Sequence, residues 1–514
     1  MTSRTALISV SDKTDVVALA RELHQLGFSI ISTGGTAALL RQEGIPVTPV
    51  SDVTGFPEIM DGRVKTLHPN IHGGLLGIPT NPAHAEQMQK HGINKIDIAV
   101  INLYPFEKTV ADSNSTHDDI IENIDIGGPA MIRAAAKNYA NTLVVVNPEQ
   151  YSTVLTQIRE SIHTHAEIPL DVREKLAMEA FSHTARYDAM ISSYLSTKTG
   201  TLFPSETAIP LKQDLHLRYG ENPQQQAMLY GRFTQSFQSV HGKELSYNNV
   251  LDVDAAAKLC LEFTEPTVCI IKHNNPCGVG SGTGLIDAWE KAFATDTVSP
   301  FGGIICVNTE VDEEFASHIH PIFTEVIIAP SFSDGALAIL RKKKDRRLVI
   351  TTVFSKTPEA GLDIRTVTNG FLIQQANARL LNSNELRVVT KRQPTSNEHQ
   401  AMMFAWKIAK HVKSNAIVYA QADRSLGIGA GQMSRVDSAR IAALKASDAR
   451  LSLQGCAVAS DAFFPFADGL LQAAQAGATC IIQPGGSVRD DEVIQAANDH
   501  GLAMMFTGMR HFKH

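Results

Sequence analysis

The sequence has no apolar run approaching the roughly 18 residues that a bilayer-spanning helix requires, so length alone excludes a membrane-embedded role. It has no excess of positive charge either: 46 Lys and Arg stand against 53 Asp and Glu, the formal charge is −7, and no basic run dominates a long stretch. Nucleic acid is therefore not an expected partner. The one compact basic cluster, Lys342-Lys343-Lys344 followed by Arg346-Arg347, reads as a solvated helix end. A secretory apolar core is missing as well, because Met1-Thr2-Ser3-Arg4-Thr5 leads straight into a strand pattern. A cytoplasmic protein is expected.

Cysteine is scarce, six in 514 residues, and no two are spaced as CxxC. Cys260, Cys269, Cys277, Cys306, Cys456 and Cys480 all fall in the second part of the chain, several inside apolar strand-like runs. There Cys acts as a small hydrophobe in a reducing compartment, and a structural zinc site is disfavoured. Pro276-Cys277-Gly278-Val279-Gly280 begins like the PCxxC half of a zinc deaminase site. Gly280 stands where the second thiolate belongs and no HxE precedes it nearby, so no metal is expected.

With 43% hydrophobic and 19% charged residues the composition is that of a soluble globular protein, and 514 residues are too many for one core. The first part alternates in type. Strands are expected at 5–10, 29–32, 47–50, 97–102 and 142–146, with a helix at 14–26, where Val16, Leu19, Leu23 and Leu26 fall at helical spacing. That βαβαβ pattern demands a parallel sheet with helices on its faces. A long helical stretch from about Leu170 to Leu195 closes it, and the small polar run Ser196-Thr197-Lys198-Thr199-Gly200-Thr201 reads as a linker. Two domains follow, 1–199 and 200–514. In the second, strands are expected at 267–271, 303–307, 326–329, 416–420, 456–459 and 479–483, with helical segments such as 438–447. The blocks around Lys272 and Asn415 each set polar residues beside a strand and a Gly-rich turn, which hints at a duplicated unit without establishing one.

Ser11-Asp12-Lys13-Thr14 follows one strand and Ser32-Thr33-Gly34-Gly35-Thr36 the next, both at the carboxyl edge where parallel sheets bind ligands. Either motif alone is equally a capped helix. Together, hydroxyls, Gly amides, a helix start and a Lys compose a phosphate cradle. Arg63 and Lys65 lie two apart in Gly62-Arg63-Val64-Lys65-Thr66, hence on one side of an extended segment. Tyr104 follows a strand ending near Asn102. Asp125-Ile126-Gly127-Gly128-Pro129 opens a helix on which Arg133 and Lys137 share a face, a pattern equally suited to a solvated surface. Lys65, Tyr104, Asp125 and Lys137 are groups for proton transfer and oxyanion stabilisation.

The densest chemistry is Val268-Cys269-Ile270-Ile271-Lys272-His273-Asn274-Asn275-Pro276-Cys277-Gly278, a buried strand running into a cation, an imidazole and two carboxamides. Taken alone, a Lys-His pair at a strand end is commonly just a solvated tip. Here the adjacent pair supplies an acid, a base and a charge stabiliser, and the carboxamides supply donors for an oxyanion.

The blocks SVSDKT, STGGT, TGFPE, GRVKTLHP, NLYPF, IDIGGP and RAAAKN, followed by LRYGENPQQ, KHNNPCG, SPFGG, SNAIV, GIGAGQMSR, SDAFFPF and a terminal MRHF, occur in one order over essentially the whole chain. In this the sequence resembles the bifunctional purine-biosynthesis enzymes that join phosphoribosylaminoimidazolecarboxamide formyltransferase to IMP cyclohydrolase. The resemblance implies a methylglyoxal-synthase-like amino-terminal domain of parallel-sheet α/β type that closes the purine ring. It implies a second domain of tandem cytidine-deaminase-like α/β subdomains without zinc, which moves a formyl group from 10-formyltetrahydrofolate to 5-aminoimidazole-4-carboxamide ribonucleotide.

By that match the first substrate sits against Ser11, Lys13, Ser32, Thr33, Gly34, Gly35, Thr36, Arg63, Thr66, Asn102, Gly127 and Gly128, with Lys65, Tyr104, Asp125 and Lys137 catalytic. In the second domain His273 matches the base, Lys272 a charge stabiliser or acid, and Asn415 an oxyanion contact. Arg218, Tyr219, Gly302, Glu325, Arg435, Phe463 and Arg510 match nucleotide-binding positions. Asn275, Phe464, Pro465 and Phe466 are expected to meet the folate, the aromatic run as an apolar wall, although that run alone reads as core. Glu325 stands where some members carry Asp, which lengthens the arm. Gly485-Gly486-Ser487 reads as a loop before a helix rather than an anion nest. The family is dimeric with formyltransferase sites built across the subunit interface, so a homodimer is expected. Two other classes compete: a phosphate-sensing regulatory module for the first domain, which would not require the Lys65, Tyr104, Asp125 and Lys137 set, and a nucleoside deaminase for the second, which lacks its paired thiolates.

Overall fold

A computed structural model describes residues 4–60, 62–355, 361–379, 381 and 383–514, so Met1, Thr2 and Ser3 of the amino-terminal reading lie outside the described residues. The chain divides into two units, Met1–Lys212 and Gln213–His514. Most of the stretch read as a linker is helix instead: Ser196, Thr197, Lys198 and Thr199 continue the helix Leu170–Thr199. The hydroxyls of Thr197 and Thr199 turn back onto the carbonyls of Ser193 and Leu195, each at 3.0 Å, so these polar side chains are accommodated within the helix. Gly200, at φ 69°, ends it in the left-handed conformation that glycine adopts without cost.

The first unit holds one five-stranded sheet, in spatial order Thr48–Pro49, Phe28–Ser32, Arg4–Val10, Ile98–Asn102, Leu143–Val145. Every pairing is parallel. Alternation sends Ala6, Ile8 and Val100 into the core on one face and Leu7, Ala99 and Ile101 into the core on the other, so helices must cover both. After Arg4–Val10 the chain builds outward in one direction, then returns to lay Ile98–Asn102 on the other side. That reversal opens a crevice at the carboxyl ends of the two central strands.

The second unit contains two six-stranded sheets of the same topology. In one the order is Asn275–Ser281, Thr267–Lys272, Gly303–Val307, Thr324–Ala329, Arg347–Thr351, Phe237–His241. In the other it is Ser425–Gly429, Ile417–Ala420, Ala457–Ser460, Cys480–Gln483, Ala503–Phe506, Arg387–Val388. Strand directions agree position by position: a hairpin, an antiparallel partner, two parallel steps and an antiparallel edge. The duplication hinted at by the sequence is therefore present in the fold. Ser246 caps the helix Tyr247–Cys260 and Thr395 caps Ser396–Ala409, 149 positions further on (395 against 246), each through a capping box. Gly278 and Gly280 recur as Gly427 and Gly429 at the same offset. One core takes in both of these helices and one face of each sheet, while helices such as Leu285–Thr295 and Arg435–Asp448 cover the outer faces.

One sequence reading is corrected here and one is met. Arg346 is not part of a solvated end: it is 2% exposed and donates to the carbonyls of His320 (3.2 Å) and Ile322 (2.5 Å), closing the turns around it. Lys343 likewise donates to the carbonyls of Pro321 and Ile322, whereas Lys342 and Lys344 are exposed as expected. At Gly485-Gly486-Ser487 the amides of Gly486 and Ser487 are taken by the carboxylate of Asp490, so the stretch is, as expected, a loop before the helix Asp490–Asp499.

Candidate functional site

At the crevice of the first unit lies a cavity of about 750 Å³. Its floor is the two central strand ends: Asn102 accepts from the backbone N–H of Ser11 (2.6 Å) and of Asp12 (2.9 Å) and donates to the carbonyl of Asp12, locking the first loop. The helix Gly34–Gln42 starts here with no side chain capping it, which leaves its first amides and the positive end of its dipole to a ligand. Lys13 donates to Thr36 Oγ1 at 2.7 Å and to the carbonyl of Val10, and burial pulls its pKa down. Ser9 and Thr33 share a hydroxyl contact at 2.8 Å. These groups form an anion cradle from neutral donors and one ammonium.

Lys65, Tyr104 and Asp125 line the same cavity together with Arg63, Thr66, Gly127 and Gly128, and Lys65 Nζ stands beside the cradle, 3.7 Å from where a Cβ on Gly34 would lie. Burial raises the pKa of Asp125, opposed by a hydrogen bond from the Gly128 N–H (2.8 Å) and by the charge of Lys65. Its own N–H donates to the hydroxyl of Tyr187 at 2.7 Å, which anchors the turn from below. A Cβ on Gly128 would lie 2.4 Å from Asp125 Oδ2, and one on Gly127 2.5 Å from Thr66 Oγ1, so both glycines are required for close approach. Arg63 pairs with Glu122 on the cavity wall.

Two residues of the sequence reading are not brought here. Ser32 is fully buried and its hydroxyl donates to the carbonyl of Ile8, so it serves the sheet. Lys137 is exposed at the far end of the helix Gly127–Lys137, about 9 Å of helix beyond Met131, the last cavity-lining residue, at 1.5 Å per residue. Arg133, on the same helix, stacks on Phe181 at 5.5 Å, as a surface face would.

In the second unit the strands Thr267–Lys272 and Asn275–Ser281 pair Lys272 with Asn275, so His273 and Asn274 alone make the hairpin turn. Both have positive φ, 53° and 62°. Such a two-residue turn suits the strand twist but favours Asn-Gly, and His in this region is uphill by about 1–2 kcal/mol. Tethers hold it: Asp252 accepts from the Asn274 N–H at 2.6 Å, and Asn275 Nδ2 donates to the His273 carbonyl at 3.2 Å. The imidazole is exposed at the tip, and Lys272 Nζ donates to the Phe301 carbonyl, beside Gly302, at 2.9 Å. Asn275 Oδ1 accepts from the Lys413 N–H at 2.9 Å, which fastens the tip to the loop that delivers Asn415. The Asn415 carboxamide donates to the Gln432 carbonyl at 2.8 Å.

Around this tip Glu325 accepts from Asn249 (2.9 Å) and faces Arg347 at 3.8 Å, while Arg218 stacks on Tyr219 at 4.7 Å. Burial raises the pKa of Asp252, opposed by the bond from Asn274 and the charge of His273. Near Asn415, Arg435 donates to Ser460 (3.1 Å) and Asp461 (3.0 Å), and Arg510 stacks on Phe512 at 4.7 Å. Of the aromatic run, Pro465 and Phe466 are exposed and Phe463 half-buried. Phe464 is a correction: at 1% exposure it packs into the core with Leu470 and Phe506, because adjacent side chains cannot all face one way. Asn249, Asp252 and Asp461 were not singled out from the sequence, and Arg347 was read only as part of a solvated basic cluster. Asn249 and Asp252, three apart in a capped helix, carried a usable signal as polar residues on one face.

The duplicated hairpin shows why one tip holds the chemistry. At the same offset Lys272-His273-Asn274-Asn275 becomes Gln421-Ala422-Asp423-Arg424, and Asn415 becomes Pro266. At Gly280 a Cβ would meet the Ala288 carbonyl at 2.3 Å, so a thiolate cannot stand there. Among the described residues no group of three or more His, Cys, Asp or Glu is placed to hold a metal ion, and no helix is long and apolar enough to cross a membrane.

Comparison with known proteins identifies the family. A family described as AICARFT/IMPCHase bienzyme matches residues 135–445, and an MGS-like domain matches residues 15–130. The chain is similar to the bifunctional purine biosynthesis protein PurH of Chlorobium phaeobacteroides, 53% identical over 99% of this chain and 98% of that protein. It is 55% identical, with the same coverage, to PurH of Chloroflexus aurantiacus. The matched residues and the full-length likeness together make this chain a member of the AICARFT/IMPCHase bienzyme family.

Proposed function

We infer that the protein carries out formyl transfer to 5-aminoimidazole-4-carboxamide ribonucleotide and then ring closure to IMP, with 10-formyltetrahydrofolate as co-substrate. The reading is supported by one observation above the rest: the anion cradle shares a single cavity of nucleotide size with Lys65, Tyr104 and Asp125.

In the second unit the aromatic amine of the nucleotide attacks the formyl carbon of the folate. The new C–N bond forms as His273 takes the amine proton, and the carbonyl electrons become an oxyanion met by Lys272 and the Asn415 carboxamide. Collapse breaks the bond to the folate nitrogen, which receives a proton as it leaves. Arg218, Tyr219, Gly302, Glu325, Arg435, Phe463 and Arg510 bind the nucleotide, and Asn275, Pro465 and Phe466 meet the folate. In the first unit the cradle of Ser11, Lys13, Thr33, Gly34, Gly35 and Thr36 holds the phosphate, assisted by Arg63, Thr66, Asn102, Gly127 and Gly128. Asp125 takes a proton from the carboxamide nitrogen as it attacks the formyl carbon, Lys65 offsets charge on the formyl oxygen, and Tyr104 relays a proton as water departs. The protein is a cytoplasmic homodimer, a state that light scattering reads directly.

The test is a paired assay on wild type, His273→Ala and Asp125→Asn. Tetrahydrofolate release reports formyl transfer, and IMP formation from supplied formylated nucleotide reports ring closure. Each substitution is expected to lower one activity by about 10²–10⁴-fold and spare the other. Loss of both in either variant would sink this division of labour.

A further inference from the structure

The left-handed turn that presents His273 packs against the loop that carries Asn415, in the other copy of the duplicated unit, and its backbone conformation needs neighbours to hold it. We propose that Lys513, in the carboxyl-terminal tail, is a positioning residue for this site: its ammonium clamps the turn of one copy to the loop of the other. Lys513 Nζ donates to the carbonyl of Asn274, the second residue of the turn, at 3.3 Å. It also donates to the carbonyl of His411, at the head of the loop leading to Asn415, at 2.9 Å. The Lys513 carbonyl in turn accepts from the Ser414 N–H at 2.8 Å, so one residue fastens the residue next to Asn415 and the residue next to His273.

The clamp acts where the backbone is least stable by itself, since two consecutive non-glycine residues with positive φ persist only when neighbours over-determine them. Removing the ammonium leaves two carbonyls facing each other with their shared donor gone. The charged groups facing Lys513 are Asp252, Asp254 and Lys258 on the helix Tyr247–Cys260, Lys413 and His411 on the loop. Burial outweighs the two carboxylates and brings the Lys513 ammonium down to about 8. The clamp is therefore at full charge below that pH and weakens above it.

The proposal rests on the reading of His273 as the base, and the experiment keeps the two apart. Formyl-transfer kcat and the nucleotide KM are measured on wild type, Lys513→Met, Lys513→Arg and His273→Ala in the full-length chain. Lys513→Met is expected to lose at least about tenfold in kcat with KM changed less than about threefold, and Lys513→Arg to recover most of that loss. Unchanged kcat in Lys513→Met overturns the clamp, as does a parallel loss of nucleotide binding. Full activity in His273→Ala sinks the base assignment whatever Lys513→Met does. Should Lys513→Met not fold, the pH profile decides: Lys513→Arg is expected to move the alkaline fall in kcat from near pH 8 to above about pH 9, because a guanidinium stays protonated there. A fall that stays in place overturns the proposal.

Discussion

Asp125 is the residue in which environment and task are most directly connected. Its carboxylate is withdrawn from water, which favours the neutral form, while the Gly128 amide and the Lys65 ammonium favour the charged one, and burial prevails. A base must be ionised to accept a proton, so ring closure should fail on the acid side at a pH above the ordinary carboxylate value of about 4. Lys65→Met removes an opposing charge, and the acid limb of kcat/KM is expected to move further up. In Asp125→Asn the limb should vanish along with most of the rate. A limb indifferent to Lys65→Met would mean that another group titrates there. Asp125 was legible because its neighbours Gly127 and Gly128 announce a tight helix start. Lys137 lies at the end of the 11-residue helix Gly127–Lys137 and outside the cavity lining, and the Ser32 hydroxyl is taken by the sheet, so for these two the structure adds nothing to the family match.

At the scale of elements, the hairpins explain which motifs were visible and which were not. Gly278-Val279-Gly280 and Gly427-Ile428-Gly429 look like flexible loops in the sequence, yet they are strands whose missing side chains admit a helix. A Cβ at Gly278 would lie 2.0 Å from the Ala292 carbonyl, and one at Gly429 1.9 Å from the Ser438 carbonyl. The obstacles are backbone atoms, which cannot swing aside. Gly280→Cys, which restores the thiolate spacing of a zinc deaminase, therefore creates a clash rather than a ligand. It should cost about 3 kcal/mol or more and lower the melting temperature of the second unit by several degrees, with no bound zinc by elemental analysis. A stable variant that takes up stoichiometric zinc would refute the packing argument. The left-handed turn at His273 was invisible for the opposite reason: nothing in Lys-His-Asn-Asn demands positive φ, and only the pairing of Lys272 with Asn275 imposes it. The aromatic run was half legible, since its exposed members could be expected and the inward turn of Phe464 could not.

The whole chain was readable to the extent that local pattern dictates global arrangement. Alternating strand and helix signals led to the parallel sheet, and the ordered motifs to both activities. The duplication stayed a hint because the copies keep backbone geometry while exchanging chemistry: Lys272-His273 against Gln421-Ala422, Asn415 against Pro266. The division into units has a consequence of its own. Both cores of the first unit draw their buried members from residues before 190, and the buried cores of the second begin at Phe237. Every residue lining the ring-closure cavity lies between Ser9 and Met131. The first unit thus has its own hydrophobic interior, which is what independent folding requires, and holds the whole lining of that cavity. Residues 1–212 expressed alone are expected to unfold in one cooperative transition and to close the ring of supplied formylated nucleotide with kcat/KM within about threefold of the full chain. The same fragment should release no tetrahydrofolate. If it folds, as judged by circular dichroism, but leaves the formylated nucleotide open, then ring closure requires groups from beyond residue 212, and the assignment of the reaction to this cavity fails.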